Sequence, residues 1–203
     1  DAPNRRDPIL DPNYHIDNPD AVRTSYSGGV DPVISSIIGD GQPDPGPRIV
    51  ERLLEIMGPY SAANKDALIQ QLTYIAGTGI AYQTERAGAN DTDTYSPNKT
   101  LRHGTGVCRD THVAVSAIYA SYVKAQQVNG DWKPGNPTNC EDLAQTVGFF
   151  NPDEYHAYMV IKDPTTGKWA ALEYGKYYDL NAPNALDAFA ALPGYIGGYT
   201  DYM

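Results

Sequence analysis

LRHGTGVCRDTHVAVSAIY, Leu101–Tyr119, runs from a glycine-containing turn into a helix, with a cysteine at the junction. Gly104 and Gly106 permit the tight turn. Beyond them Val107, Thr111, Val115, Ile118 and Tyr122 recur at steps of three and four, the period of one buried helix face. Cys108 therefore sits in or just before the first helical turn. Unpaired N–H groups and the positive end of the helix dipole stabilise a thiolate there. Asp110 suits the first turn for the same electrostatic reason. A thiolate, not a thiol, is the attacking species in acyl transfer.

The chain around this stretch has 203 residues, enough for one ordinary domain or one domain with an arm. A hydrophobic content of 41% suffices for a core. The net charge of −10 argues against a nucleic acid or an anionic membrane surface as partner. No apolar run is long enough to span a membrane. The two cysteines, Cys108 and Cys140, make no disulfide framework and have no CxxC partner, so a cysteine zinc site is not expected. Asp91 and Asp93 lack the regular oxygen spacing of a calcium loop, and no metal site is assigned. The 16 tyrosines, the few lysines and a start at Asp1 without methionine lean towards a secreted or periplasmic protein without a signal peptide of its own.

Residues 1–47 are rich in Pro, Asp, Asn and Gly and read as a mostly irregular N-terminal arm wrapped on a domain spanning 48–203. Arg48–Met57 carries a helical apolar stripe, stopped by Gly58-Pro59. Lys65–Ile80 reads as a second helix whose end Gly77 and Gly79 weaken. Tyr82–Lys99 is polar and turn-rich, Asn129–Asn139 is a loop, and Cys140–Val147 reads as a short helix. His156–Lys162 is a β-rich run, DPTTG a turn and Trp169–Tyr174 a second strand, together a β-hairpin. Asn184–Leu192 reads as helical.

The hairpin gives Cys108 a chemical context. If Lys162 pairs with Trp169, Tyr158 faces Glu173 and His156 becomes the same-face diagonal neighbour of Glu173, roughly 7–8 Å away at Cα. A slip of one residue would send the two side chains to opposite faces. In the expected register Cys108 attacks an acyl carbon, His156 accepts the thiol proton and later delivers it, and Glu173 orients the imidazole. The N–H of Cys108 is a natural oxyanion donor. His112 lies one turn after Cys108 on the same helix, where it cannot flank a carbonyl opposite the thiolate; it packs or caps. His103, just before the turn, is a cleft-lining candidate, and His15 in the arm carries no signal. Trp132 and Trp169 read as packing residues.

GVCRD followed by an apolar helix resembles the nucleophile segment of the transglutaminase-like superfamily, and HAYMVIKDPTTGKWAALEYG resembles its later histidine-led hairpin. Trp169 keeps its spacing of four residues before the acid, and GIAYQ with TLRHGTGVC is similar to the approach to the cysteine. The resemblance covers roughly residues 48–180. It implies an α+β fold with a transglutaminase-like, papain-like core, the nucleophile helix packed on an antiparallel β-sheet. It implies Cys108 as nucleophile, His156 as base and Glu173 as the acid, where aspartate is more usual in the family. Tyr82, with Gln83 behind it, stands where a side-chain oxyanion donor is expected. The implied chemistry uses no metal or organic cofactor and acts on protein or peptide substrates, cell-wall peptides among them. Hydrolysis of peptide or amide bonds through a thioester is the leading expectation, since cross-linking glutamine to amines needs a cleft that excludes water. A non-catalytic binding module on the same fold is the remaining alternative.

Overall fold

The computed structural model describes residues 22–25, 29–87, 93–125, 142–151, 154–191 and 200–201. After β1 (Val22–Ser25) comes α1 (Pro32–Ile37), whose N-cap Asp31 accepts the N–H groups of Val33 and Ile34. Arg52 reaches back from α2 (Pro45–Met57) to the same carboxylate, at 3.0 and 3.2 Å. The expected apolar stripe of α2 buries Ile49, Val50 and Leu53, and Gly58 ends the helix at a φ of 70°. Next is α3 (Lys65–Tyr74), which unwinds into a π-helical turn over Ile75–Gly79, where the sequence places its two glycines. Then follow β2 (Ala81–Tyr82), α4 (Pro97–His103) capped by Ser96, and β3 (Thr105–Gly106), which pairs in parallel with β2. Gly104 ends α4 at a φ of 68°, a conformation that costs glycine nothing.

The central helix α5 (Cys108–Lys124) begins at the cysteine. Its sequence promises one buried face, but from Asp110 to Val123 every residue is buried. The remaining faces carry the small residues Ala114, Ser116, Ala117, Ala120 and Ser121, which let neighbours approach closely, along with His112, Val113, Tyr119 and Val123. Beyond it β4 (Ala144–Asn151), β5 (Glu154–Lys162), β6 (Trp169–Glu173) and β7 (Lys176–Ala182) form successive antiparallel pairs. Then come α6 (Ala185–Ala190), capped by Asn184, and β8 (Thr200–Asp201). The sheet order is β1-β7-β6-β5-β4-β8, so both ends of the chain add edge strands. The chain is α+β, a mixed helix-and-sheet fold.

Two elements differ from the sequence reading. Residues 144–147, expected to be helical, belong to β4. The stretch before Arg48, expected to be irregular, holds α1 and the start of α2, and Ile34 and Ile37 join the main core. Two isoleucines three residues apart satisfy the helical period, but the turn is too short to stand out among prolines and glycines. Cys140, Asp91, His15 and Trp132 lie outside the described residues.

The sheet buries both faces. Met159, Ile161, Ala170, Leu172 and Tyr177 pack with the helices α1–α5 in the main core. The alternate residues Tyr158, Val160, Ala171 and Tyr178 pack with Trp169 and α6 in a second cluster. The Asp163–Lys168 turn between β5 and β6 is fixed by its first residue: Asp163 accepts from Tyr60, Thr165 and Lys65. Burial opposes ionisation there, but those donors outweigh it and hold the carboxyl at about 2.

Complete burial of α5 makes it intolerant of added volume. Ala120, fully buried, should destabilise the fold by about 1–3 kcal/mol when changed to leucine. Ile56→Ala, at an exposed position of α2, should shift the chemical-denaturation midpoint far less.

Candidate active site

The site is built where the N-terminus of α5 meets the open end of the β5–β6 hairpin. Val107, the N-cap residue, has no side-chain acceptor for the orphan N–H groups. Asp110 compensates from the third helical position, accepting the Val107 N–H at 3.0 Å and the Tyr95 N–H at 2.7 Å. Its carboxylate is completely buried and also pairs with Arg86. Arg86 in turn donates to the Asp93 carbonyl at 2.7 Å and lies 3.6 Å over the Tyr95 ring. Arg109 donates to the same Asp93 carbonyl. Gly106 is required beside this clamp, because a Cβ there would come within 2.8 Å of Asp110 Cβ. Cys108 is a free thiol, partly exposed at the mouth of the helix.

The hairpin has the register that the turn sequence predicts. Lys162 pairs with Trp169 and Met159 with Leu172. His156 and Glu173 then share the strand face that carries Tyr158, and His156 Nε2 lies 2.6 Å from Glu173 Oε1. The second carboxylate oxygen accepts from the Tyr178 hydroxyl at 3.3 Å. With Nε2 on the acid, Nδ1 is the imidazole nitrogen left for the thiol, and Cys108 and His156 share a hydrogen bond. Burial pushes the Cys108 thiol up. The His156 hydrogen bond and charge, with the N–H groups of Ala157 and Arg109, outweigh that and bring it below the ordinary thiol value. Burial likewise disfavours an imidazolium at His156, but Cys108 and Glu173 together raise it to about 9. The electrostatics favour a thiolate–imidazolium pair.

The chain matches no protein-family model and no curated protein. The site is therefore read from its own geometry.

Three residues that the sequence does not place in the site, His112 among them as one that packs or caps, complete it. Tyr178 buttresses Glu173 from β7. Tyr174, in the two-residue turn after β6, stands at a φ of 49°, an uncommon conformation for a bulky side chain. Its phenol is held well above its ordinary range, first by burial and then by the charge of Cys108. His112 is fully buried between the two halves of the site: Nδ1 donates to the Cys108 carbonyl at 2.8 Å, and Nε2 accepts the Tyr174 N–H at 2.9 Å. The Tyr174 contact joins residues 62 apart in the chain, beyond the reach of any local sequence pattern.

Of the remaining sequence candidates, Tyr82 stands next to Gly106 through the β2–β3 pair, 51% exposed. Burial and the Cys108 charge both raise its phenol, so it remains a donor at neutral pH. Gln83 donates its backbone N–H to the Gly106 carbonyl, and its buried side-chain oxygen has no hydrogen-bond partner among the described residues. His103 is exposed at the end of α4, its carbonyl beside Gly39, and no described contact joins it to Cys108, His156 or Glu173. Among the described residues, no cluster of His, Cys, Asp or Glu could hold a metal ion, and no helix is long and apolar enough to cross a membrane.

Burial, opposed by the Cys108 and Ala157 carbonyls, lowers His112 to about 4, so it is neutral across the physiological range. A histidine lowered on folding contributes stability that is present above its unfolded value, about 6.5, and lost as pH falls towards 4. His156, raised on folding, contributes in the opposite window: fully below about 6.5, and lost as pH rises through about 9. Between pH 6.5 and 4, unfolding free energy should fall by up to about 1.4 kcal/mol per pH unit from His112 alone. Denaturation of His112→Gln across that range should show a flatter pH dependence than wild type.

Proposed function

We propose that this chain is a cysteine-dependent acyl-transfer enzyme with a transglutaminase-like core, hydrolysing peptide or amide bonds through a thioester. The single observation that carries this reading is the relay from the Cys108 thiol to His156 and from His156 Nε2 to Glu173 Oε1 at 2.6 Å. Packing of a buried helix on an antiparallel sheet, with the thiol at its N-terminus, supports the same reading.

The steps follow from the groups present. The Cys108 thiolate attacks the acyl carbon, and the carbonyl π electrons move onto oxygen. The N–H of Cys108, at the positive end of α5, and the Tyr82 hydroxyl are the donors for that oxyanion. His156 Nδ1–H protonates the leaving amine, the C–N bond breaks and a thioester remains. Water then enters, gives a proton to the neutral imidazole and attacks the thioester. The C–S bond breaks, the carboxylic acid departs and the thiolate–imidazolium pair is restored. Glu173 holds the ring in the required tautomer and stabilises its cationic form, as the acid of a triad does. Glutamate in place of aspartate adds one methylene of reach, and the Tyr178 hydrogen bond limits the freedom that this adds.

The partially exposed cleft, with Tyr82 half in solvent, favours hydrolysis over amine transfer, which needs a thioester shielded from water. The test offers glutamine-containing and cell-wall peptides, with and without a primary amine, to wild type and to Cys108→Ala. Hydrolysis by wild type alone is expected, with Cys108→Ala reduced on the order of 10⁴-fold or more. Amine incorporation as the main product would replace hydrolysis with cross-linking. Equal behaviour of the two proteins across the panel would favour a binding module.

Two further outcomes are expected. The pH profile should rise below the ordinary thiol range and fall near 9, where His156 loses its proton. Tyr82→Phe should lower kcat on the order of 10²-fold with little change in KM, the signature of a lost oxyanion donor.

A further inference from the structure

The reacting side chains come from three separate pieces of backbone: the first turn of α5, the start of β5 and the end of β6. One residue touches all three. His112 Nδ1 donates to the carbonyl of Cys108, the nucleophile residue itself. Nε2 accepts the N–H of Tyr174, the residue after Glu173. The Ala157 carbonyl, next to His156, lies against the same imidazole. The ring sits edge-on to Tyr174, with centroids 4.7 Å apart, and edge-on to His156 at 6.5 Å.

The turn that His112 holds needs holding. Tyr174 is at a φ of 49°, where a bulky residue is strained and persists only if its surroundings over-determine it. The turn is gripped from the other side by Gly77 in the π-helical turn, where a Cβ would come within 2.9 Å of the Gly175 nitrogen. Glu173 is the residue immediately before this turn, so the direction of its side chain depends on the turn staying in place.

We propose that His112 is a positioning residue: as a neutral Nδ1–H imidazole it bolts the Glu173–Tyr174 turn to the carbonyl of Cys108, and so sets the acid at bonding distance from His156. This rests on reading Cys108, His156 and Glu173 as the reacting groups. The tautomer follows from the partners. A carbonyl faces Nδ1, which must carry the proton, and the Tyr174 N–H faces Nε2, which must not. The charged or titratable groups around the ring are Cys108, His156, Glu173 and Tyr174.

The test uses two substitutions that each keep one of the bonds. His112→Asn retains a donor near the Nδ1 position and loses the acceptor for Tyr174. His112→Gln retains an acceptor near the Nε2 position. The readout is the pH dependence of Cys108 alkylation by iodoacetamide in the full chain, located by peptide mapping. It reports the stability of the thiolate–imidazolium pair, which a general loss of packing would not shift without unfolding. In folded His112→Asn the profile should move up by about one pH unit, a tenfold loss of thiolate reactivity below it, as in Glu173→Gln. His112→Gln should stay close to wild type. Unchanged profiles in both folded variants would overturn the proposal.

If His112→Asn fails to fold, nitrogen NMR of histidine-labelled wild type decides. A single tautomer with Nδ1 protonated and Nε2 bare supports the bolt; the opposite tautomer, or exchange between the two, overturns it. An ordinary thiol profile in wild type would instead count against the nucleophile reading, while the tautomer measurement would still judge the His112 contacts.

Discussion

The buried carboxylate of Asp110 fixes where α5 begins, and the rest of the site depends on that point. It gathers the Val107 and Tyr95 N–H groups and the Arg86 guanidinium, so every donor aimed at it is used. A buried ion pair adds little net stability, because desolvation offsets most of the attraction. Its value here is geometric. The helix start cannot slide or fray without stranding a charge, at a cost of several kcal/mol. Cys108 is thereby kept at one place, where helix N–H groups and His156 can hold it as a thiolate.

The same logic recurs across the site. Each side chain of the candidate site is held by a neighbour outside it: Glu173 by Tyr178, the Glu173–Tyr174 turn by His112 and Gly77, and the Cys108 segment by Asp110. The cost of misalignment explains the arrangement. A shift of about 1 Å can cost on the order of 10²-fold in rate. The two halves of the site sit on a helix and a hairpin that meet only through tertiary contacts, so alignment has to be supplied by cross-links between them. Those cross-links are hydrogen bonds to backbone, whose positions the secondary structure already fixes.

That division also governs what the sequence reveals. The helix at Cys108 is legible from its period, and the β5–β6 hairpin from its alternation and DPTTG turn. Given the Lys162–Trp169 pairing, the His156–Glu173 contact follows. The supporting residues are not legible. Arg86 lies in a polar turn with no pattern, and His112 reads as a packing residue on a helix whose sequence shows only one buried face. Tyr178 belongs to a strand, β7, whose Tyr-Tyr-Asp-Leu run has no clean alternation. The Ala144–Val147 strand is missed because it pairs with β5 across 11 to 17 residues and is preceded by polar residues that look like a helix cap. Arg86 and His112 meet their partners 24 and 62 residues away, and Tyr178 meets Glu173 across the β6–β7 turn, contacts of which local propensity carries no trace.

The proposed chemistry requires Cys108 to ionise below the ordinary thiol range, with His156 as its imidazolium partner. The most direct measurement is the near-ultraviolet absorbance of the thiolate, titrated in wild type and in Cys108→Ser so that the difference belongs to Cys108 alone. The expected result is a difference absorbance that develops below the ordinary thiol range. A difference that develops only as pH rises through the ordinary thiol range, about 8.5, would contradict it.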